Sequence, residues 1–342
     1  MTPDRRFVLA ALAAIPLAMT ANPVRAGTLR TAVVATLMKK IRAEYQDAAS
    51  GDRLAAALAG KLANGAYDTP ESDEAFALRL TADLRAIIDD KHMAIMSGLP
   101  PGGADPSSDP VFQRKINYGV QDVRRLPGNV GLIELNFFPS PAFGRRLTGR
   151  YAAAMALVSE TRALIVDIRA HNGGEPACVA YFASYFFDRP AFLLNEIVYR
   201  RKPRGRFFTT ANPQGPRYGE RRPVFIATSK DAFSGAEEFA YDLQTLKRAT
   251  VVGEVTGGGA NPNDGFDLGG GFTALIPDGR AVNPVTHTNW EGVGVKPDVA
   301  VAADKAVDVA HRLALQAALV AATADAEKAS IRQALESLPP PA

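Results

Sequence analysis

The chain has 342 residues, 47% of them hydrophobic and 22% charged, with a formal charge of +3 and one cysteine, Cys178. This is the composition of a globular protein that can bury a core without covalent staples, and it excludes a disordered polymer, a solenoid of short repeats and an internal disulfide framework. It also excludes a CxxC redox motif or cysteine-rich zinc site, and four scattered histidines without an HExxH pair suggest no metal centre.

The first 26 residues, MTPDRRFVLAALAAIPLAMTANPVRA, have a basic start at Arg5 and Arg6, an apolar stretch from Phe7 to Thr20, and small residues at the end. They predict a secretory signal peptide cut after Ala26 and hence a periplasmic or secreted protein, with the arginine pair compatible with the twin-arginine route. The apolar stretch is too short to span a bilayer, and no later segment is long enough, so no membrane span is expected. Removal of Arg5, Arg6, Arg25 and Asp4 leaves a formal charge of +1, which argues against a nucleic-acid partner.

Residues 27–98 read as an N-terminal helical domain, with apolar residues at three-to-four spacing in Thr31–Tyr45 and in Phe76–Ile88. Thr69 is the expected cap of the second helix, with Pro70 in its first turn and Glu71 and Asp73 matching the helix dipole. Residues 99–127 read as a linker, because SGLPPGGADPSSDP breaks any regular element. Over 128–325 short apolar strands alternate with helices. NVGLIELNFF leads to a helix over 141–159, ALIVDIR to a helix over 174–187, and PVFIATS to a helix opening at Ser234 and then ATVVGEV. Alternation of this kind predicts parallel strands joined by right-handed crossovers, an α/β layer structure. A hairpin is expected in FTALI-PDGR-AVNP, where Pro277, Asp278 and Gly279 supply turn chemistry, and a helix over 304–323 precedes a C-terminal tail at 326–342 that ends in a frayed LPPPA.

Ligands of open parallel sheets sit beyond the carboxyl ends of the strands. Two loops there have suitable character. In DIRAHNGGEP, Gly173 and Gly174 allow the backbone to point amide hydrogens into a crevice; in SKDAFSGAEEF, Ser234 stands beside Gly235 at a helix start. Acyl transfer needs a hydroxyl nucleophile and amide donors for the oxyanion. An ordinary serine helix cap would leave the same pattern, and the surroundings of Ser234 are not a G-x-S-x-G elbow.

ALIVDIRAHNGG resembles the D-x-R-x-N-x-G-G segment of the C-terminal processing (tail-specific) serine proteases. FSGAEEFAYDLQTLKRATVVGEVTGGG is similar to their nucleophile segment with the G-E-x-T stretch behind it, and NWEGVGVKPDVAV to their G-V-x-P-D ending. The resemblance implies a catalytic domain built of ββα repeats (ClpP/crotonase-like) after an N-terminal helical bundle. Family members that use a lysine base carry it where this chain has Gly259, and neither Lys230 nor Lys247 occupies that place. The branch resembling the tricorn core protease and the interphotoreceptor retinoid-binding protein instead uses a D-x-H element, matched here by Asp90 and His92, and a glutamate matched by Glu291. It also lacks a PDZ domain, for which this chain has no room. The resemblance thus implies Ser234 as nucleophile, His92 as general base, Glu291 as orienting carboxylate, and Gly235 with Gly173 and Gly174 as the oxyanion hole. No metal or cofactor is implied.

His171 departs from the usual asparagine and Lys91 from a small residue. His287 is expected to hydrogen-bond within its loop, His311 to be structural, Trp290 to pack in the core, and the glycines at 257–259 not to form a P-loop. The implied activity is hydrolysis of peptide or unfolded protein segments. A carrier of apolar ligands or an esterase or amidase on the same scaffold are the other readings of that resemblance.

Overall fold

The computed structural model describes residues 23–98, 107–189 and 191–338, so residues 1–22 of the expected export segment lie outside the described residues. In chain order the helical front end comprises α1 (Pro23–Glu44), α2 (Ala48–Ala63) and α3 (Asp73–Arg85), then a short strand β1 (Ala94–Ser97). Next come α4 (Pro110–Lys115), β2 (Val120–Leu126), β3 (Val130–Leu135), α5 (Arg145–Val158), β4 (Ala163–Asp167), α6 (Pro176–Ala183), β5 (Leu193–Tyr199) and β6 (Gly205–Phe208). The remainder is β7 (Val224–Thr228), α7 (Gly235–Thr245), β8 (Thr250–Gly253), β9 (Asn263–Gly269), β10 (Phe272–Pro277), β11 (Gly279–Val282), β12 (Val299–Ala300), α8 (Ala306–Ala321) and α9 (Asp325–Ser337).

The mixed α/β architecture expected from the alternation is present. Its centre is a six-stranded sheet in the order β12-β8-β7-β4-β3-β2, parallel except for β2 against β3. All five residues of both β4 and β7 are buried, as a parallel sheet covered on both faces requires. On one face Tyr151, Met155, Phe182, Phe186 and Phe239 from α5 to α7 form the largest core; on the other, alanines of α8 pack closely with Leu315 over Leu132, Ile165 and Val252.

Four expectations change. The segment 99–127 is more than a linker, because its end is strand β2, hydrogen-bonded along β3. The C-terminal tail at 326–342 carries a further helix: α9 buries Ile331 and Ala334 against α8, whereas residues 339–342 of the LPPPA end lie outside the described residues. The second helix is capped by Ser72 rather than Thr69; the Ser72 hydroxyl accepts from the Ala75 amide at 3.1 Å, with Asp73 and Glu74 in the first turn. The expected hairpin does not form. Chain reversal at PDGR is replaced by passage between sheets: β10 pairs with β1 and β9, whereas β11 pairs with β5. The Asp278 amide donates to Pro262 O and its carbonyl accepts from the Arg200 amide, which fixes an extended corner there.

This change of sheet completes the front end. Phe76, Leu80 and Leu84 of α3 are fully buried, together with Phe272, Ala274 and Ile276 of β10, a strand nearly two hundred residues further on. Phe76 meets Phe272 edge-on at 5.5 Å between ring centroids. Each such side chain contributes about 1.5–3 kcal/mol from its removal from water. The helices at 27–98 therefore share one core with β9 and β10, and the turn between α3 and β1, which carries His92, is anchored against the larger unit.

Candidate active site

Ser234 stands between β7 and α7 at φ 58°, ψ −120°. An ordinary N-cap serine has extended backbone, whereas this region is sparsely populated by residues other than glycine. The strained turn is stapled by Glu237, which is fully buried. Its Oε2 accepts from the Ser234 amide at 2.8 Å and the Gly259 amide at 2.9 Å, and its Oε1 from the Gly258 amide at 2.6 Å and the Thr256 hydroxyl. Burial raises the Glu237 carboxyl above its ordinary range, and these donors pull it back. Glu237 was not singled out in the sequence, although Ser234-Gly-Ala-Glu237 has the S-x-x-E spacing of a capping box.

His92 comes to this turn from 142 positions away: its Nε2 lies 3.0 Å from Ser234 Oγ. The imidazole leans on the Phe233 ring at 4.7 Å. Its backbone is held at both ends, the amide donating to Asp90 Oδ1 at 3.1 Å and the carbonyl accepting from Asn263 Nδ2 at 2.8 Å. Asp90 is itself fixed by the Tyr45 hydroxyl and Asn261. Lys91 does not enter the site; its ammonium donates to Gly257 O. A Cβ on Gly259 would stand 2.8 Å from His92 Cε1 and closer still to Phe233. The imidazole thus fills space that a side chain at position 259 would need, so a base at one place excludes a base at the other.

Asp90, His92 and Glu291 each present a ligand-type atom within 4.8 Å of the others. Glu291 Oε2 accepts from the Ala260 and Asn261 amides at 2.6 and 3.0 Å, while its Oε1 and His92 Nδ1 are buried atoms without a hydrogen-bond partner. Desolvation, then the nearby Asp90 charge, pushes the Glu291 carboxyl up to about 7. Desolvation, with Arg85 adding to it, lowers His92 to about 4, so its imidazole is neutral at pH 7. Among the described residues this trio is the group best placed to hold a cation, but His92 Nε2 is directed at Ser234 and Glu291 is half engaged by amides.

The glycine loop after β4 lies directly against the serine. A Cβ on Gly173 would be 2.7 Å from Ser234 Cβ and 3.1 Å from the Gly235 nitrogen; one on Gly235 would be 3.2 Å from the Gly174 nitrogen. Gly173 and Gly174, at φ 99° and 127°, hold conformations closed to other residues. Of the three expected donors, the Gly173 amide is already used: it donates to His171 Nδ1 at 3.0 Å. The Gly174 and Gly235 amides have no acceptor among the described residues. His171 therefore makes the i to i+2 bond that an asparagine side chain makes in such a turn, and its ring packs on Phe138 at 4.4 Å.

The other residues singled out are placed outside the reacting groups. Trp290 is buried, and its indole N–H donates to Gly259 O, which ties the glycine loop to the core. His287 is exposed, with its amide bonded to Asn283 O, and His311 contacts Pro127 O. Lys230 and Lys247 are exposed. Cys178 is buried against Tyr151.

Residues 129–301 match the model of peptidase family S41, and residues 24–115 match the N-terminal domain of that family's members in eukaryotic IRBP. Among solved structures, the fold is similar to a lipoprotein from Streptococcus agalactiae at 14% identity and TM-score 0.58, over 84% of this chain and 96% of that one. It is similar to the tricorn protease at 13% identity and TM-score 0.54, over 91% of this chain and 37% of that one. The photosystem II D1 C-terminal processing protease shares it at 14% identity and TM-score 0.50, over 81% and 94%. At these identities the similarity is one of fold, whereas the family match spans half of the chain and takes in Ser234, both glycine loops and Glu291. The chain belongs to peptidase family S41, a family of serine peptidases.

Proposed function

We propose that the chain is an exported endopeptidase that hydrolyses peptide or unfolded protein segments, with Ser234 as nucleophile, His92 as general base and Glu291 as the supporting carboxylate. The observation that carries this is the 3.0 Å approach of His92 Nε2 to Ser234 Oγ, between groups 142 residues apart. A neutral imidazole at that distance accepts the hydroxyl proton as Oγ attacks the scissile carbonyl. The carbonyl oxygen takes up negative charge toward the Gly174 and Gly235 amides. Glu291, when ionised, stabilises the imidazolium, which then returns its proton to the leaving amine. Water repeats the attack on the acyl-serine with His92 again as base.

The test is a fluorophosphonate probe on the folded chain together with unfolded protein and ester substrates. Wild type should label and cleave peptide bonds, and Ser234→Ala and His92→Ala should each lose at least about a thousandfold in kcat. A folded wild-type chain that neither labels nor cleaves would instead be a carrier on this scaffold, and one that cleaves only esters an esterase. Export is read separately: N-terminal sequencing of the protein recovered outside the cytoplasm should begin at Gly27.

A further inference from the structure

A cavity of about 710 Å³ opens at the start of α5, lined by Arg114, Arg145, Arg146 and Arg150 with Asn117 and Tyr118. The four arginines are exposed, and none has an ion-pair or hydrogen-bond partner for its guanidinium among the described residues. Arg145 and Arg146 open α5, a helix whose first turn has no acidic residue and no side-chain cap. Cations there oppose the helix dipole. Tyr118, only 4% exposed, lines the same cavity, and its hydroxyl is unpartnered among the described residues. Four unpaired guanidinium groups around a recess with a tyrosine hydroxyl in its wall are complementary to carboxylates, which arginine forks bind in bidentate fashion.

The place of the cavity favours one source of those carboxylates. Its wall is made by the start of α5 and by Tyr118, whose ring packs on Phe143. The segment that leads to them from β3 also borders the crevice: the Asn136 carbonyl accepts from Asn172, the Phe138 amide donates to Gly173 O, and the Glu175 amide donates to Phe138 O. The stretch from Asn136 to the start of α5 thus joins the glycine loop beside Ser234 to the arginine-lined cavity. From this we infer that the cavity is an accessory docking site for an acidic stretch of the polypeptide substrate, outside the bond that is cut. This rests on the peptidase reading above and adds a charge preference to it.

The test is fluorescence anisotropy with the full chain carrying Ser234→Ala, so that its outcome does not depend on whether Ser234 attacks. The probes are a labelled peptide of alternating Glu and Ser and its Gln-for-Glu counterpart. The acidic peptide should bind about tenfold or more tightly, and the preference should fade as salt is raised. Arg145→Glu with Arg146→Glu should abolish the preference, and Arg145→Gln with Arg146→Gln should halve or better its logarithm, with thermal unfolding midpoints showing that each variant is folded. Equal binding of the two peptides, or an unchanged preference in the folded Glu variant, overturns the inference. So does loss by that variant of binding to phosphatidylglycerol vesicles alone, which would make the arginines a membrane contact.

Discussion

At the residue scale the site combines a base that is easily kept neutral with a carboxylate that is hard to ionise. Glu291 is pushed up to about 7 by desolvation and Asp90, while His92 is lowered to about 4. A carboxylate that supports an imidazolium must be charged to do so; activity should therefore rise as pH climbs through about 7, following Glu291, with His92 already neutral. In Glu291→Gln the pH profile of kcat/KM should lose this limb, show one closer to 4, and reach a lower plateau. A limb that stays near 7 in that variant would remove Glu291 from the proposed scheme. His171 gives a second prediction with the same sign of pH dependence, in stability. Burial lowers it to about 3. The unfolded chain takes up a proton below about 6.5 that the folded chain refuses until about 3, so stability is lost as pH falls through that window. At pH 4 this penalty is about 3 kcal/mol. His171→Asn keeps an acceptor for the Gly173 amide and removes the penalty. The difference in unfolding free energy between pH 8 and pH 4 should shrink by about 3 kcal/mol, measured in urea, whatever the variant loses in packing on Phe138 at both pH values.

At the scale of elements, the nucleophile helix is joined to the glycine loop behind β8 by a single carboxylate. Glu237 serves three amides and one hydroxyl, and each buried donor left without an acceptor costs about 1–3 kcal/mol. Glu237→Ala should therefore destabilise the chain by more than about 3 kcal/mol, and should release the Gly258 and Gly259 amides to hydrogen exchange before the sheet. Glu237→Gln, which presents an N–H where an acceptor is needed, should fall between the two. Unchanged exchange at both glycines in the folded Ala variant would show that the loop is held by other contacts, Trp290 first among them. The sequence made some of these elements plain and hid others. β3, β4, β7 and β8 are legible because burial on both faces leaves nearly continuous apolar runs, and α5, α6 and α8 follow from the alternation. β9, reading NDGFDLG, and β6, reading GRFF, face water on one side and carry glycine and charge, so no apolar pattern announces them. PDGR misled because its turn residues serve a corner between sheets, and Thr69-Pro70 because Ser72 offers an equally good cap three residues later. Ser234 and Gly173–Gly174 were readable as a loop chemistry. His92 and Glu291 came from the family resemblance, since nothing local marks a histidine whose partner is 142 positions away.

For the whole molecule, the base and the nucleophile belong to segments that share packing across distant parts of the chain. The core of the front end contains Phe76, Leu80 and Leu84 from the helices and Phe272, Ala274 and Ile276 from β10, and β10 leads directly through Asp278 into β11 and the second small sheet. The helices thus lack one wall of their core until the distant strands arrive, and the His92 turn is fixed only when both are present. This predicts one cooperative transition for the whole chain. Trp290, the single tryptophan, is buried in the core of the larger unit and bonded to the glycine loop, so its fluorescence reports that unit, whereas far-UV circular dichroism weights the helices. Phe76→Ala empties a fully buried ring site against Tyr67 and Phe272 and should cost about 3–5 kcal/mol. The denaturation midpoints by fluorescence and by circular dichroism should coincide in wild type and move down together in the variant. If the circular dichroism midpoint falls alone while the Trp290 transition stays in place, the front end is a separately folding unit. The 3.0 Å contact between His92 and Ser234 would then depend on docking rather than on a shared core.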